Sequence, residues 1–426
     1  MSAAAAWLLG DAPMTSSAHY RRWPYRLLKT AGVVLLVFVA AVILVVAINR
    51  FDEPLERSTQ AWLDFPVRAA SPEPNNGYLA LLALDARAAN PIAAAGEVAR
   101  AQHVIFADAQ KSHQDTVRRY RELRARLLDP TGARIPLVAD CKDDCPAYVL
   151  SHAVRLEKLS RDHADLLQRY SKMLDSPAYA EDIPIDPGKL PPNYGLAGQL
   201  GLMHLGNAAI ALERGDAQMA YREWARHRRF WEMAAAGSLS LIDLMSAVDQ
   251  IERGQTMLSH MLASHPDSAA LARRHALPLL AERLRLMPLI ARSRVYEFQM
   301  QAYVFTDLIF HLSLNTVEEG QPTGLIDRLA LLFYQRNASV NLLHRLHQSD
   351  MSRNGVELKA KIPPDDADAQ INQPCESNPN RHMLLNPIGK LLLCTEGSFA
   401  YRAYYERIAK ADAAATELER KIRAVR

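Results

Sequence analysis

The sequence has few of the motifs that identify a catalytic or cofactor site. In its 426 residues there is no H-E-x-x-H motif, no Glu-x-x-His spacing, no G-x-S-x-G elbow, no P-loop and no G-x-G-x-x-G. These absences exclude the common metalloprotease, di-iron bundle, serine-hydrolase and nucleotide-binding patterns. We therefore expect no metal and no cofactor. Residues distant in sequence can still assemble a site that no local pattern predicts.

The sequence also lacks a strong excess of charge of one sign. It contains 50 basic and 47 acidic residues, and residues 1–30 alone hold four basic residues and one acidic residue. No charged residue occurs in residues 31–49, so 46 basic and 46 acidic residues remain after them. A nucleic-acid-binding domain needs a basic surface to neutralise phosphates. The balanced charge predicts that nucleic acid is not a partner.

One long hydrophobic run dominates the N-terminal region. Residues 31–48 carry no charge, and with Thr30 and Asn49 they form a helix of roughly 30 Å, enough to cross a bilayer. The basic flank precedes the run, which predicts a cytoplasmic tail over 1–29, a transmembrane helix over 30–49 and an exported remainder. We thus expect a single-pass protein of the bacterial inner membrane with its bulk in the periplasm. The alternative is a signal peptide cleaved after Ala47, but the length of the run favours an uncleaved anchor.

The chain has only four cysteines, Cys141, Cys145, Cys375 and Cys394. An exported bacterial domain lies in an oxidising compartment, where disulfides form and persist. We expect the local pairs Cys141–Cys145 and Cys375–Cys394, because each pair frames its own loop. Zinc binding and free thiols are the alternatives, although the spacing of the cysteines does not match the usual zinc patterns.

The remaining pattern predicts an all-α fold with an irregular, helical-hairpin organisation similar to TPR arrays. Residues 50–75 are rich in proline and are predicted to be an extended linker between the membrane and the globular domain, with one helical turn around Trp62. Residues 76–426 are predicted to be an all-helical periplasmic domain with a sub-boundary near 175–194. The predicted helices cover residues 92–129, 147–174, 217–236, 238–264, 268–287, 289–316, 323–349 and 398–424. The first two are expected to form an antiparallel hairpin with Cys141 and Cys145 at its tip.

Small residues predict where two of these helices approach each other closely. Gly198, Gly201 and Gly206 recur along the helix that precedes residue 214, where they leave room for neighbouring side chains. Gly215 suits the C′ position of that helix, and Asp216 suits the N-cap of the next one.

Four side chains on the helix over 217–236 are candidates for a binding surface: Tyr221, Trp224, Arg228 and Trp231. Aromatic residues and arginine are typical of binding hot spots. The same residues at helical spacing are also typical of a buried core, and the sequence leaves both interpretations open.

Two further features carry chemistry. His344 and His347 lie three residues apart and share a helix face, either as metal ligands or as partly exposed histidines of an amphipathic helix. Glu297 lies among aromatic residues, either as an acid with a raised pKa or as the partner of Arg292 or Arg294 in a salt bridge.

Three separated segments resemble a family of uncharacterised single-pass proteobacterial envelope proteins with a helical periplasmic domain. The segments are "DEPL…AWLDF…NGYLALLALDA", "FWEMAAAGSLSLIDLMSAVDQI" and "NPIGKLLL…YRAYYERI", and together they cover patches of residues 52–408. The resemblance implies one transmembrane helix and one exported unit. It implies no catalytic residues.

Three functions remain open at this point. The first is a membrane-anchored interaction or scaffold protein of the envelope, and the second is a hydrolase of an envelope glycan or lipid. A deep pocket that gathers Glu297, Trp224 or Trp231 and a histidine would favour the hydrolase. The third is a subunit of a secretion or transport machine.

Overall fold

The computed structural model describes residues 22–66, 75–87, 89–107, 118–119, 121–127, 135, 144–181, 191–306, 331–358, 385–395 and 401–424. The α-helices with defined bounds are α1 (Arg22–Asn49), α2 (Arg57–Leu63), α3 (Gly77–Leu82), α4 (Pro91–Ala107), α5 (Cys145–Ser151), α6 (Ala153–Asp162), α7 (Ala164–Leu174), α8 (Tyr194–Glu213), α9 (Ala217–Gly237), α10 (Leu241–Ser264), α11 (Ala269–His275), α12 (Leu277–Ala281), α13 (Met287–Thr306), α14 (Arg336–Arg353), α15 (Pro387–Thr395) and α16 (Arg402–Ala424). No β-strand occurs within these ranges, so the predicted all-α fold is confirmed.

Helix α1 contains the predicted hydrophobic run. Its part from Leu28 to Asn49 is long and apolar enough to cross a membrane. Residues 28–44 are exposed, whereas Asn49 is buried against the rest of the protein. The helix therefore projects from the body and is held by its last turn.

The centre of the body is the antiparallel series α8, α9 and α10, which pack on one another. Gly215 connects α8 to α9 with a φ of 90°, and Asp216 caps α9 by accepting a hydrogen bond from the Met219 N–H at 3.0 Å. Both predicted roles are confirmed. Glycine is favoured at residue 215 because a Cβ disfavours that left-handed backbone conformation.

The predicted close packing of the α8 glycines is also confirmed. A Cβ on Gly201 would lie 2.2 Å from the Gln250 side chain and 2.9 Å from the Tyr170 hydroxyl. A Cβ on Gly206 would lie 2.7 Å from Leu156. Helices α6, α7 and α10 therefore approach α8 at positions where it has no side chain.

A second group of helices packs on α10. Helices α13 and α16 both contact α10 and each other, and α14 lies against α13. Between them lies a core of aromatic and aliphatic side chains that includes Trp62, Phe298 and Leu343. Helix α10 therefore packs against α8 and α9 and also against α13 and α16.

The predicted single helix over 92–129 is wrong. The Arg126 guanidinium lies 3.4 Å from the Glu97 carboxylate, and the Arg87 N–H donates to the Leu127 carbonyl at 3.1 Å. A continuous helix would separate residues 97 and 126 by about 44 Å. Residues 97 and 126 are therefore close in space and do not belong to one continuous helix, so the expected hairpin of two long helices over 92–129 and 147–174 is not formed as predicted.

Three other predicted helices differ from those in the structure. Residues 147–174 are divided into α5, α6 and α7 at His152 and His163, whose φ angles are both −116°. The predicted helix over 268–287 is broken at Ala276, and Pro278 and Pro288 both lie in the first turn of a helix, α12 and α13, where a missing N–H costs no hydrogen bond. Of the predicted helix over 323–349, the described part has a 3₁₀ turn over Leu331–Phe333 and then α14, which extends to Arg353.

The described part of the predicted linker, residues 50–66, is docked on the body. The Asp52 carboxylate accepts hydrogen bonds from the Asn337 and Ala338 N–H groups at 2.6 and 3.1 Å. Asn341 donates to Glu53 at 2.9 Å and accepts from the Glu56 N–H at 3.0 Å. This segment therefore binds α14 through specific polar contacts. It is not the free spacer that the proline content predicted.

Asn386 joins α1 to the body. Its N–H donates to the Asn49 side-chain oxygen at 2.6 Å, and its own side-chain oxygen accepts from the Gln335 N–H at 2.9 Å and the Gly389 N–H at 3.2 Å. Its side-chain nitrogen donates to Ser339 at 2.9 Å. The backbone of Asn386 has a φ of 49°, a conformation that asparagine tolerates better than most residues.

Cys145 is the one cysteine whose side chain the structure describes. It begins α5 and is disulfide-bonded. Cys141, Cys375 and the side chain of Cys394 lie outside the described residues, so the two expected pairings stay predictions.

Candidate functional site

A cleft of about 690 Å³ lies where α8, α9, α10, α13 and α16 meet. Its lining is mainly aromatic and aliphatic, with a few charged groups. The lining residues are Pro191, Tyr194, Gly195, Trp231, Ser240, Leu241, Ile242, Met245, Ser246, Asp249, Gln250, Arg253, Tyr296, Glu297, Met300, Tyr401, Tyr404 and Arg407.

Helix α10 provides the longest wall of the cleft. Ile242, Met245, Asp249 and Arg253 follow one another at steps of three or four residues, which places them on one face of the helix. Ile242 is 62% exposed and marks the mouth. This wall therefore changes from apolar side chains near the start of α10 to charged ones three turns later.

The start of α10 is held by three carboxylates from different parts of the chain. Glu297 accepts a hydrogen bond from the Leu241 N–H at 3.0 Å, and Glu181 accepts one from the Leu239 N–H at 2.8 Å. Asp243 accepts hydrogen bonds from Ser240 and from the Tyr194 hydroxyl. The first N–H groups of a helix have no partner within the helix, and the helix dipole is positive at its N-terminus. Both effects favour carboxylates at this position.

The charged groups in the second half of this wall neutralise one another. Asp249 lies 2.8 Å from both Arg253 and Arg407, and Arg407 also lies 2.6 Å from Glu252. These contacts connect α10 to α16 across the cleft. The arginine charges are therefore already paired before any ligand arrives.

A buried cation supports the tyrosine wall. The Arg294 guanidinium lies 3.3 Å from the centroid of the Tyr401 ring and 3.2 Å from the Asp350 carboxylate. Tyr405 donates to the same carboxylate at 3.0 Å. The cation–π contact and the ion pair together fix the orientation of Tyr401, which lines the cleft.

Trp231 borders the cleft and is held by a buried chain of hydrogen bonds. Its indole N–H donates to the Tyr170 oxygen at 2.9 Å, and the Tyr170 hydroxyl lies 3.1 Å from Nδ1 of His227. His227 Nε2 lies 3.1 Å from the Gln250 carbonyl, which accepts only from an N–H. The hydrogen of His227 is thus on Nε2, and Nδ1 accepts from Tyr170.

Burial lowers the pKa of His227 to about 3, with a smaller effect in the same direction from the neighbouring His204. The imidazole is therefore neutral at physiological pH, as this chain of hydrogen bonds requires. Burial likewise raises the pKa of Tyr170 above its usual value. The network is a fixed polar element beneath Trp231.

The four predicted surface residues form no exposed surface. Tyr221, Trp224, Arg228 and Trp231 each have no more than 2% of their area exposed. Trp224 donates to the Gly254 carbonyl at 2.7 Å, and Arg228 is paired with Glu232 at 2.6 Å. The four side chains therefore belong to the core, as the second interpretation predicted. Of the four, only Trp231 lines the cleft.

The two other sequence candidates also lie in the interior. His344 and His347 are buried rather than partly exposed, and His347 lies 3.0 Å from the Gln301 side chain. Within the described residues no group of three or more histidine, cysteine or acidic side chains is placed to hold a metal. Glu297 does line the cleft, where the Leu241 N–H donates to it, while Arg292 donates to the Ser238 carbonyl and Arg294 pairs with Asp350.

Sequence reasoning missed the tyrosines and the ion-pair network of the cleft. The segments quoted for the family resemblance contain many residues that line the cleft. They include Trp231, several residues within 240–250, Tyr401, Tyr404 and Arg407. Those segments read as core helices because nothing local distinguishes an aromatic residue in a cleft from one in a core.

Comparison of the chain with protein-family models, with curated proteins and with solved structures gave no match. The function must therefore be argued from the cleft and from the position of α1.

Proposed function

We propose that this protein is a membrane-anchored interaction protein of the bacterial envelope, whose cleft receives an apolar segment of another envelope protein. In this proposal α1 spans the inner membrane, the N-terminus is cytoplasmic and the body is periplasmic. The uncharged run of α1 and the basic residues before it support this topology. The disulfide at Cys145 suits the oxidising periplasm.

The observation that carries the proposal is that the charged side chains of the cleft already have partners. Asp249, Arg253 and Arg407 are paired with one another or with Glu252, and Glu297 accepts from a backbone N–H. A charged ligand would have to compete with these contacts. The surface that remains available is aromatic and aliphatic, so it favours an apolar, uncharged occupant.

The side chains of the lining are those that protein interfaces use. Tyrosine offers a large apolar ring with a polar tip, and four tyrosines line the cleft. Met245 and Met300 are flexible and adapt to irregular shapes. A polypeptide segment with apolar side chains matches this combination better than a sugar, which needs many free hydrogen-bonding groups.

The hydrolase alternative has partial support. Glu297 and Trp231 lie in one cleft, as that hypothesis requires, but the lining residues that the structure describes include no histidine. The side chains of Ser240 and Ser246 are engaged with Asp243 and with the Ile242 carbonyl. The Ser240 hydroxyl donates to the Asp243 carboxylate and also accepts from the Asp243 N–H, so it serves as the N-cap of α10 rather than as a free nucleophile.

The proposal is tested by site-specific photocrosslinking in native membranes. A photoreactive amino acid replaces Ile242 at the mouth of the cleft in the full-length chain, and a matched control replaces Val154, which is 84% exposed on α6. We expect a discrete adduct at Ile242 that is absent at Val154 and that maps to one apolar segment of an envelope protein. Equal labelling at the two positions, or turnover of an envelope glycan or lipid that Glu297→Gln abolishes, would contradict the proposal.

A further inference from the structure

The body carries a group of exposed apolar side chains around the end of α1. Phe51 is 79% exposed, Leu332 48%, Leu385 52% and Leu391 49%. We call these four residues the apolar collar. Large apolar side chains that cluster on a surface mark a site of contact with another apolar phase.

The contacts of Asn49 place the collar at the end of the apolar helix. Leu385 precedes Asn386, whose N–H binds Asn49 at 2.6 Å. The Phe51 carbonyl accepts from Gln335 at 2.8 Å, and the short helical turn that contains Leu332 packs on α1 and on α15, which carries Leu391. The collar is thus fixed to the last turn of α1 by direct contacts.

The length of α1 determines the depth of the collar. The uncharged stretch begins at Thr30 and ends at Asn49, which gives about 30 Å, the thickness of a bilayer core. Its last turn is partly covered by the body, since residues 45, 46, 48 and 49 are no longer fully exposed. The body elements that cover this turn must then lie at the boundary between acyl chains and headgroups.

The charged residues beside the collar fit the same boundary. Arg50 and Arg336 are exposed next to it, and Lys390 is half-buried. Burial lowers the pKa of Lys390, and the nearby Glu53 acts in the opposite direction. Apolar side chains with exposed arginines around them are the pattern of a surface that rests in the headgroup region.

We infer that the apolar collar inserts into the leaflet on the body's side of the membrane and forms a second lipid contact beside α1. The inference rests on the proposed membrane anchoring by α1. Together with the docked segment 50–66, this contact fixes the body against the membrane surface rather than on a flexible spacer. The cleft is then presented at a constant height and orientation, which suits a partner segment close to the same membrane.

The inference is tested in the full-length chain reconstituted into lipid vesicles. A genetically encoded fluorescent amino acid, which leaves the cysteines unchanged, replaces Leu391 or Leu385 in the collar, Leu36 in the middle of α1, or Val154 as a control. Vesicles contain lipids brominated either near the headgroup or near the end of the acyl chain, and bromine quenches the label on contact.

We expect headgroup-proximal bromine to quench the labels at Leu391 and Leu385, chain-end bromine to quench Leu36, and neither to quench Val154. If Leu36 is quenched and both collar labels behave like Val154, the second lipid contact is refuted while the anchor stands. If Leu36 is not quenched by either lipid, the membrane anchor itself is refuted, and the inference falls with it.

Discussion

The Asn49 side chain at the end of the apolar helix accepts a hydrogen bond from the Asn386 N–H, 337 residues further along the chain, at 2.6 Å. Asn386 in turn binds Gln335, Ser339 and Gly389 through its own side chain. One asparagine therefore connects the apolar helix, the start of α14 and the start of α15. The apolar helix and the body are therefore joined by a buried polar contact.

Replacement of Asn386 should destabilise this joint in two separable ways. Asn386→Gly removes the side-chain hydrogen bonds, and we expect it to cost about 2–3 kcal/mol. Asn386→Ala removes the same bonds and also places a Cβ on a backbone with a φ of 49°, which adds about 1 kcal/mol. Thermal unfolding of the full-length protein in detergent should rank wild type above the glycine variant and the glycine variant above the alanine variant. Equal melting temperatures for all three would contradict this role.

Gly389 should tolerate no side chain. A Cβ at this position would lie 2.0 Å from the Ser339 hydroxyl and 2.4 Å from the Asn386 amide nitrogen. We expect Gly389→Ala to destabilise the protein by about 2 kcal/mol or more, because the joint must open to admit the methyl group. Gly195→Ala is the matched control, since the nearest atom would be 3.6 Å away. A melting temperature of Gly389→Ala equal to that of the control would show that the joint is looser than described.

Asp52 should act as the N-terminal cap of α14. Gln335 occupies the cap position without a capping side-chain bond, and the Asp52 carboxylate binds the first free N–H groups instead. We expect Asp52→Ala to lower stability by about 1–2 kcal/mol, while Asp52→Asn keeps an acceptor and loses less. Hydrogen exchange of the Asn337 and Ala338 amides measures this directly. Unchanged protection of these amides in Asp52→Ala would exclude the cap.

Acid should destabilise the protein through its buried histidines. The pKa of His227 is about 3 in the folded state and about 6.5 in an unfolded chain. The unfolded state therefore binds a proton that the folded state excludes, and the stability present above pH 6.5 falls as the pH is lowered towards 3. One such histidine contributes up to about 1.4 kcal/mol per pH unit.

His227→Gln provides the test of this pH dependence. Glutamine can still donate to the Gln250 carbonyl and accept from Tyr170, but it does not take up the proton. We expect the melting temperature of the variant to fall less steeply between pH 6.5 and pH 4.5 than that of the wild type. Burial also lowers the pKa of His347 well below its usual value, so a His227→Gln, His347→Gln double variant should fall less steeply still. Parallel curves for all three proteins would contradict the assignment.

The sequence predicted the helices and their ends where the determining interactions are local. Gly215 and Asp216 identify the turn between α8 and α9, and the α8 glycines identify its close-packed faces, because such signals act within a few residues. The apolar run of α1 is equally local. These features were predictable without any knowledge of the tertiary structure.

Interactions between distant residues account for what was missed. The segment 50–66 reads as a proline-rich spacer, yet Asp52, Glu53 and Glu56 have partners on α14 about 285 residues away. His344 lies against Trp62, with ring centroids 4.8 Å apart. The cleft combines side chains from five helices, so only Trp231 and Glu297 were among the sequence candidates. No periodicity or spacing encodes which faces of those helices meet.

The central claim is that the cleft binds an apolar segment because its own charges are already paired. The direct measurement is a titration of full-length protein with the synthetic segment identified by crosslinking at Ile242, carried out at low and at high salt. The account predicts nearly equal affinity at both salt concentrations, and a loss of about tenfold or more on Ile242→Asp but not on Val154→Asp. Affinity that falls steeply with salt, or that is unaffected by Ile242→Asp, would contradict it.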